Sequence, residues 1–375
     1  MKEELRKIHK LNSPCYLFDC RILSDRVRYL RQYLGKSVKL CFSVKANPWL
    51  VQKMNPYIDY FEVCSAGELE WCLNRGIPAE RISVGGVCKT YEDLELAVKA
   101  HAGTLSVESA NQAEALNRIG NDDKTDTSIL LRLSSGNQFG MQWEEVKKHY
   151  TGQIKGIHFY SGTQKRSSGR ILSELEMLKE RLQELERSGR NVKILEYGPG
   201  IGYPYFTGDD EAFDQTVLEE ISEELRQIGE QYDLRLELGR MLCAPVGSYI
   251  AKVIDRKVTE GKVFYILNGG HQHFAYFGQG IGGKNAKFSI VHCVEKERKR
   301  EKVIVCGSLC TANDILLKNV DIEECDVGDY FIFFHVGAYS STEAMALFLR
   351  HKYPDIYLME EDGHLVHSFC SDYLI

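Results

Sequence analysis

The stretch Lys39-Leu-Cys-Phe-Ser-Val-Lys45-Ala-Asn-Pro-Trp49 has the pattern of a buried strand that ends on a lysine. Apolar side chains occupy every second position from Val38 to Val44, a period that predicts a β-strand. Lys45 then lies at the C-terminal end of the strand, where poor solvation of an amine favours the neutral form that condenses with an aldehyde. Taken alone, such a lysine is ordinarily a surface residue at a strand end, so the function of Lys45 has to be inferred from the rest of the sequence.

Strand-like and helical segments alternate regularly on both sides of this stretch. The strands are predicted at 38–44, 59–63, 81–84, 104–107, 128–133, 154–159, 192–197 and 234–238. The helices between them are predicted at about 48–56, 66–75, 90–101, 109–119, 143–150, 167–188 and 210–230. Eight strands separated by seven helices is the count of a parallel (β/α)8 TIM barrel. An open doubly wound sheet is the competing arrangement, which strand counting alone leaves open.

After Gly239 the pattern changes to strands that follow one another without long helices. These strands are predicted at 246–254, 262–268, 287–293, 303–306 and 330–336, and a short strand at 14–19 is a candidate to pair with them. Such a succession indicates an antiparallel β domain. We therefore predict a barrel over residues 22–240 and a β domain built from residues 1–21 and 241–375.

Composition and charge exclude several classes of function. The net charge of -6 leaves no excess of basic side chains for nucleic acid, and the basic run at 296–302 is interpreted as a solvated hairpin tip. Residues 1–10 lack the apolar core of a signal peptide, and no window is apolar enough to span a membrane, which predicts a cytoplasmic protein. The 12 cysteines form no Cys-x-x-Cys pair, so we expect reduced thiols and no metal site.

The reactive side chains of the predicted barrel fall at the C-terminal ends of its strands, where barrel enzymes carry their active sites. These candidates are Lys45, Glu62, Arg132, His158 and Glu237. Glu237 would be costly to bury without a partner, and a protonated ring nitrogen is a suitable one. His158 is a candidate to stack on a flat cofactor, although a lone histidine is more often structural.

A glycine-rich loop, Gly198-Pro199-Gly200-Ile201-Gly202, follows the seventh strand. In a barrel this is the usual position for gripping a phosphate with backbone N–H groups, although such a loop can also be only a tight connection. Ser161 and Arg240 are further candidates for the phosphate. A salt bridge between Arg240 and Glu237 without any ligand is the alternative.

Two turns of the β domain add polar side chains. Cys306-Gly-Ser-Leu-Cys310-Thr311-Ala-Asn-Asp314 places a thiol and a carboxylate after a strand, and Tyr339 ends another strand with a phenol that could meet a phosphate. His271 and His273 would face the same side of a strand, but a metal site needs a third ligand. Contact with substrate or an ordinary loop is the preferred interpretation of His271.

With these residues assembled, the chain resembles the fold-type III pyridoxal-phosphate decarboxylases, the group of diaminopimelate, ornithine and arginine decarboxylases. The resemblance runs from about Pro14 to Tyr357. The motifs that carry it, in chain order, are Ser43-Val-Lys-Ala-Asn47, Glu62-Val-Cys-Ser-Ala-Gly-Glu68, Ser83 to Gly86 with Lys89, Val107-Glu-Ser109 and Gln138-Phe-Gly-Met141. Glutamine stands at position 138 where the family has lysine.

The resemblance implies an alanine racemase-like barrel, pyridoxal 5'-phosphate (PLP) as cofactor and a homodimer whose active site is shared between subunits. Lys45 would bind the cofactor aldehyde covalently, His158 would stack on the ring, and Glu237 would keep the ring nitrogen protonated. The other implied cofactor contacts are Glu62, Arg132, Ser161, Gly200, Gly202, Arg240 and Tyr339. Cys310, supplied by the neighbouring subunit, or Lys45 would return a proton to the α-carbon after carbon dioxide leaves.

Departures from the family pattern bear on the substrate. The Cys-Glu-Ser-Gly-Asp turn of the family is here Cys310-Thr311-Ala-Asn-Asp314, so the acid that meets a distal amine is replaced by Thr311. A free ammonium would be left unpaired there, which argues against a plain diamino acid. The substrate-binding insertion is shortened to a glycine-rich loop at 278–283, which suits a bulkier substrate. Thr311, Asp314 and His271 are the predicted substrate contacts.

The preferred hypothesis is a decarboxylase of a modified substrate, either a glutamyl group tethered to a carrier protein or a siderophore or natural-product intermediate. A decarboxylase of free diaminopimelate, ornithine or lysine is the alternative. An amino-acid racemase of the same fold is disfavoured by the cysteine turn and by Glu237. A non-catalytic regulatory homologue is disfavoured because Lys45 and the phosphate-binding residues are retained.

Overall fold

The structure is a computed structural model that describes residue 8 and residues 10–119, 126–276 and 284–369. The chain divides into two compact units. The barrel unit comprises residues 25–203 and 211–242, and the β unit comprises the remainder, including the short segment 204–210. The predicted boundaries at 22 and 240 stay predictions, and nothing in the sequence pattern had indicated that 204–210 belongs with the β unit. The glycine-rich loop predicted at 278–283 lies outside the described residues.

The barrel unit is a closed barrel of eight parallel strands. Closure occurs where the last strand pairs with the first, so that Val38 to Phe42 lie in register with Leu234 to Leu238. The strands are β2 Val38–Ser43, β3 Tyr60–Val63, β4 Ile82–Val84, β5 Thr104–Val107, β6 Ser128–Leu133, β7 Ile154–Tyr160, β8 Ile194–Gly198 and β9 Asp233–Leu238. This topology confirms the predicted barrel and excludes the open sheet.

Helices follow the barrel strands, and their boundaries have local causes. Thr90 caps one of them by accepting a hydrogen bond from the N–H of Asp93, whose side chain accepts one in return from the N–H of Thr90. The longest helix buries a leucine-rich stripe spaced by three and four residues. The helices are α1 Cys20–Leu34, α2 Val51–Met54, α3 Ala66–Leu73, α4 Tyr91–Lys99, α5 Ala110–Ile119, α6 Trp143–His149, α7 Ser168–Arg187, α8 Phe213–Gln231 and α9 Arg240–Cys243.

The β unit is one sheet whose pairings are mostly antiparallel. The predicted N-terminal strand is part of it, pairing antiparallel with β10 and parallel with β16. The strands are β1 Cys15–Asp19, β10 Gly247–Thr259, β11 Lys262–Leu267, β12 Phe288–Val291, β13 Arg300–Cys306, β14 Ile315–Glu323, β15 Tyr330–Phe334, β16 Asp355–Met359 and β17 Leu365–Phe369. A second parallel pair, between β11 and β13, also departs from the predicted antiparallel arrangement.

Three strands of this sheet were not predicted from the sequence. β14 exposes four of its nine side chains in a mixed pattern and β17 exposes three of five, so they lack the apolar alternation that marks a half-buried strand. The third is β16. The basic run at 296–302 was also misread as a solvated tip. Its last three residues belong to β13, and the guanidinium of Arg298 is buried, 3.0 Å from the carboxylate of Asp326.

In the described part of the chain, no helix is long and apolar enough to cross a membrane.

Candidate active site

Lys45 lies in a single turn of 3-10 helix, Val44–Ala46, that directly follows β2. Its Nζ atom is 2.7 Å from both carboxylate oxygens of Glu62, at the end of the neighbouring strand β3, and 3.2 Å from Sγ of Cys64. The Lys45 side chain is 40% exposed, so the amine is better solvated than the sequence had suggested. Burial would raise the pKa of Glu62, but the Lys45 ammonium and hydrogen bonds from Cys64, Lys45 and Ser43 lower it.

His158 on β7 and Glu237 on β9 meet inside the barrel mouth. Nδ1 of His158 is 2.8 Å from the hydroxyl of Ser106, and Nε2 is 3.0 Å from Oε1 of Glu237. The last two atoms are close but misaligned, so among the described residues neither has a hydrogen-bond partner although both are buried. Burial lowers the pKa of His158 to about 4, and burial together with the Glu62 carboxylate raises the pKa of Glu237 to about 7.

Glu196, which the sequence reading passed over, completes this group. It lies in β8 and is fully buried. One carboxyl oxygen of Glu196, one of Glu237 and a ring nitrogen of His158 lie within 4.8 Å of one another. Burial and the neighbouring Glu237 raise the pKa of Glu196 to about 7. The signal was present in the sequence, since an acid in the middle of the strand Ile-Leu-Glu-Tyr-Gly is unexpected in a barrel interior.

Arg132 on β6 forms a buried ion pair with Glu108, which follows β5. The distance from Nη1 to Oε1 is 2.8 Å, and the other oxygen of Glu108 accepts a hydrogen bond from the N–H of Gly140. Nε of Arg132 is buried and has no partner among the described residues. Arg132 is therefore held rigidly at the barrel mouth, and one of its donors is left for a ligand.

The glycine loop after β8 fits closely against the loop after β7. Gly200 has a φ of +61°, and a Cβ atom there would lie 1.8 Å from the carbonyl oxygen of Gly162. The N–H of Gly202 donates to the carbonyl oxygen of Lys165, so it is not available to a phosphate in this conformation. Arg240, predicted for the same phosphate, donates through Nε to the hydroxyl of Thr163 at 3.4 Å.

Replacing Gly200 with alanine is expected to destabilise the protein. An alanine in the left-handed region costs about 1–2 kcal/mol, and the clash with Gly162 adds to that cost. Gly189→Ala is the matched control, because Gly189 also has a positive φ (+80°) but no neighbour within 4 Å of its Cβ position. Urea denaturation should give a larger loss of unfolding free energy for Gly200→Ala. Equal losses for the two variants would mean that the close approach does not matter.

Ser161 lies in the loop after β7, as predicted, but its hydroxyl donates to the carboxylate of Glu174 on α7. The other oxygen of Glu174 accepts from the buried ammonium of Lys165 at 2.6 Å and from the hydroxyl of Tyr197 at 2.7 Å. Burial lowers the pKa of Lys165, although its contact with Glu174 opposes that change. Glu174 was not singled out from the sequence, because one acid on a charged helix carries no distinguishing signal.

In the β unit, Cys310 and Thr311 lie at the tip of the turn between β13 and β14. The Cys310 side chain is exposed. Asp314 is buried, and its two carboxylate oxygens accept from the N–H groups of His271 and Leu309 at 3.0 and 2.8 Å. The carboxylate of Asp314 therefore joins two loops of its own chain, and its contact with substrate stays a prediction.

The two predicted histidines occupy a turn and not a strand, so they do not face the same side. Nδ1 of His271 is 3.4 Å from Asp314, whereas His273 has both ring nitrogens in hydrogen bonds. Because the carbonyl oxygen of Lys352 can only accept, Nε2 of His273 carries the proton and Nδ1 accepts from the hydroxyl of Tyr249. Burial lowers the pKa of both histidines.

Tyr339 is separated from the end of β15 by four residues and does not end that strand directly. Its backbone has a φ of +63°, and its carbonyl oxygen accepts hydrogen bonds from the N–H groups of Thr342 and Glu343. The residue is half-buried within the β unit.

The residues of the barrel mouth fit pyridoxal 5'-phosphate. A primary amine, a buried carboxyl oxygen without a partner and a neutral imidazole stand at the ends of strands β2, β9 and β7 of one barrel. No hydrogen bond among the described residues uses the N–H of Gly200 in the adjacent loop. The amine suits the cofactor aldehyde, the carboxyl oxygen its ring nitrogen, the imidazole its flat ring and the N–H of Gly200 its phosphate. This combination defines the class of barrel enzymes that bind PLP through a lysine.

Comparison with known proteins identifies the family within this class. The model of the pyridoxal-dependent decarboxylases, pyridoxal binding domain, matches residues 21–244. The chain therefore belongs to the pyridoxal-dependent decarboxylases, which confirms the resemblance seen in the sequence. As a member of this family, it is a PLP-dependent amino-acid decarboxylase.

Relatives across the family cover nearly the whole chain. L-glutamyl-[BtrI acyl-carrier protein] decarboxylase of Niallia circulans is 28% identical over 94% of this chain and 90% of its own. 2-[(L-alanin-3-ylcarbamoyl)methyl]-2-hydroxybutanedioate decarboxylase of Staphylococcus aureus is 26% identical over 92% and 94%. Diaminopimelate decarboxylase of Aquifex aeolicus is 27% identical over 87% and 82%.

A solved structure shares the fold. Lysine/ornithine decarboxylase of Vibrio vulnificus, complexed with cadaverine, has a TM-score of 0.84 to this chain at 21% sequence identity. The match covers 96% of this chain and 98% of that one.

Proposed function

We propose that this decarboxylase removes the α-carboxylate from an amino acid that is part of a larger molecule, either a glutamyl group tethered to a carrier protein or a siderophore-type intermediate. The observation that carries this proposal is the turn at 306–314. Its only carboxylate belongs to Asp314, which is buried and bonded to two backbone N–H groups. Thr311 is uncharged, so the turn offers no free carboxylate to the distal ammonium of a diamino acid.

The first two relatives support the same substrate class. The name of one places its substrate on an acyl-carrier protein, and that of the other describes an alaninyl group joined to a hydroxybutanedioate. A decarboxylase of free diamino acids remains the second candidate, favoured by the relative from Aquifex aeolicus.

Each residue of the barrel mouth receives a role in this proposal. When bound, PLP supplies an electron sink for the negative charge left at the α-carbon as carbon dioxide departs. Lys45 would hold the cofactor through Nζ. His158, kept neutral by burial, would lie against the cofactor without adding charge. Glu237 would offer a carboxylate to the ring nitrogen, and Arg132 would use its remaining donor on a ligand.

The phosphate would be held by the loops after β7 and β8. Ser161, the N–H of Gly200 and the guanidinium of Arg240 are the proposed contacts of the barrel unit with the phosphate, and the phosphate contact of Tyr339 stays a prediction. Gly202 contributes only to the shape of the loop, because its N–H already donates to the carbonyl oxygen of Lys165. Glu62 holds the Lys45 amine in position through two short contacts.

Cys310 is proposed to act from the neighbouring subunit of a homodimer. Its exposed thiol at the tip of a turn can be presented to a second copy of the chain. Sγ of Cys310 or Nζ of Lys45 would then return a proton to the substrate α-carbon. Thr311 and His271 would line the substrate pocket beside it.

Thr311→Asp tests the substrate class. The added carboxylate is expected to give activity on free lysine, ornithine or diaminopimelate, because it can pair with the distal ammonium. Wild-type protein should release carbon dioxide from carrier-tethered glutamyl or siderophore-type substrates and not from those amino acids. Thr311→Ser, which adds no charge, is the matched control. Activity of the wild-type protein on free diamino acids alone would contradict the proposal.

A further inference from the structure

Glu196 occupies an unusual position for a charged residue, in the middle of β8 with its side chain fully buried. The hydroxyl of Ser83, on β4, lies 2.6 and 2.7 Å from its two carboxyl oxygens. A serine hydroxyl has one proton, so it can donate to only one of these oxygens at a time. The other oxygen of Glu196 is left to a different partner.

That partner is Glu237 on the neighbouring strand. One carboxyl oxygen of each acid lies within 4.8 Å of the other, and a hydrogen bond from Glu196 acts to lower the pKa of Glu237. Two ionised carboxylates in contact would repel each other strongly in a buried site, so one of them must carry a proton. We assign that proton to Glu196, because the Lys45 ammonium, a hydrogen bond from Glu196 and the Arg132 guanidinium oppose the effect of burial on the pKa of Glu237 and so favour its ionised form. One oxygen of Glu196 then accepts from Ser83, and the other oxygen carries the proton and donates it to Glu237.

We propose that Glu196 is a positioning residue that holds the proton of this pair and thereby keeps Glu237 as a carboxylate at the ring-nitrogen position. The inference rests on the proposed role of Glu237 and adds the reason why an isolated buried acid there can be ionised. Without a donor, burial would favour the neutral form of Glu237, which cannot pair with a protonated ring nitrogen.

The charged surroundings of the pair agree with one shared proton near neutral pH. Burial is the main cause that raises the pKa of each acid to about 7. The titratable and charged groups that act on Glu196 are Glu237 and Arg235 from β9, His158 from β7 and Cys41 from β2. Those that face Glu237 are Glu62 from β3, Lys45 after β2, Arg132 from β6, Glu196 from β8, His158 and Tyr160 from β7, and Cys41 from β2.

The shared proton has a consequence for stability that can be measured without the cofactor. The folded protein keeps the proton at pH values between the ordinary glutamate pKa, about 4.3, and the raised value, whereas the unfolded chain releases it. The unfolding free energy of the PLP-free protein should therefore fall as the pH rises through this window. Above the window both acids are ionised, and Glu237 has lost its donor.

Glu196→Gln and Glu196→Leu separate this role from simple packing. The glutamine side chain keeps an oxygen that can accept from Ser83 and an N–H group that can donate to Glu237, and this N–H group does not ionise at high pH. The leucine side chain fills a similar volume but has neither the acceptor nor the donor. Glu196→Gln should retain PLP binding and kcat within about threefold, and its kcat should no longer fall at alkaline pH. Glu196→Leu should lose at least about tenfold in kcat. Equal losses in the two variants would overturn the proposal.

The second measurement is urea denaturation of the full-length protein, freed of PLP, between pH 5 and pH 8. The decline of unfolding free energy with pH should be shallower for Glu196→Gln than for wild type. Glu70→Gln, at an exposed helix position, is the control that should leave the decline unchanged. An unchanged decline in Glu196→Gln would contradict the shared proton. Since this result needs no cofactor, it stays interpretable even if Lys45 proves not to bind PLP, which would overturn only the proposed function.

Discussion

Lys45→Ala is expected to abolish decarboxylation, with a loss of at least about 10³-fold in kcat. The physical reason is that no other described amine stands at the end of β2 beside Glu62, where Nζ makes two contacts of 2.7 Å. Steady-state assays of carbon dioxide release would measure the loss. Borohydride reduction followed by peptide mass spectrometry should trap PLP on Lys45 in the wild-type protein and not in the variant.

Lys99→Ala is the control for this result. Lys99 is exposed on α4, and its ion pair among the described residues is with Glu95, one helical turn away, so its removal should leave both activity and trapping unchanged. PLP trapped on a lysine other than Lys45 would contradict the assigned role, and with it the orientation of every other group in the barrel mouth.

Glu237→Gln is expected to lower kcat by about 10²–10³-fold, the scale associated with removal of a single preorganised electrostatic contact. An amide cannot carry the negative charge that holds a proton on a ring nitrogen, although it has nearly the same shape as the carboxyl group. KM should change little if the group acts on the reacting cofactor and not on substrate binding. Steady-state kinetics on the wild-type protein and the variant would measure both constants.

A measurement of unfolding free energy distinguishes a loss of kcat in Glu237→Gln from a loss caused by unfolding. Because burial raises the pKa of Glu237 to about 7, its ionised form is costly at pH 8, and the variant should be at least as stable as the wild type there. Glu223→Gln, at a position 68% exposed on α8, is the control that should leave kcat unchanged. A variant that keeps full activity would mean that Glu237 does not face the ring nitrogen.

The fold could be predicted from the sequence because its determinants are local and repeated. The barrel strands are short apolar runs, such as Val38 to Ser43, and helices follow them, such as α4 with its capping box and α7 with its apolar stripe. The β unit was harder because some of its strands, such as Ile315–Glu323, are partly exposed and carry a mixed pattern. Parallel pairing of β1 with β16 joins segments more than 300 residues apart, which no local pattern can show.

The site was predicted less completely than the fold, and the features that were missed have one cause. Sequence position identifies which residues stand at strand ends, but it does not tell which donors and acceptors are already paired. Gly202 has the expected place in the glycine loop, yet its N–H is bonded to Lys165. Asp314 has the expected place in the cysteine turn, yet its carboxylate is buried among backbone N–H groups.

The sequence by itself therefore determined the barrel, the lysine at the end of its first strand and the family to which the chain belongs, because periodicity and short motifs are properties of neighbouring residues. Only the tertiary structure decided that Glu196 contacts Glu237, since the two lie on adjacent strands separated by 40 positions in the chain. Whether a buried acid is ionised depends on what surrounds it, and those surroundings come from residues that only folding brings together.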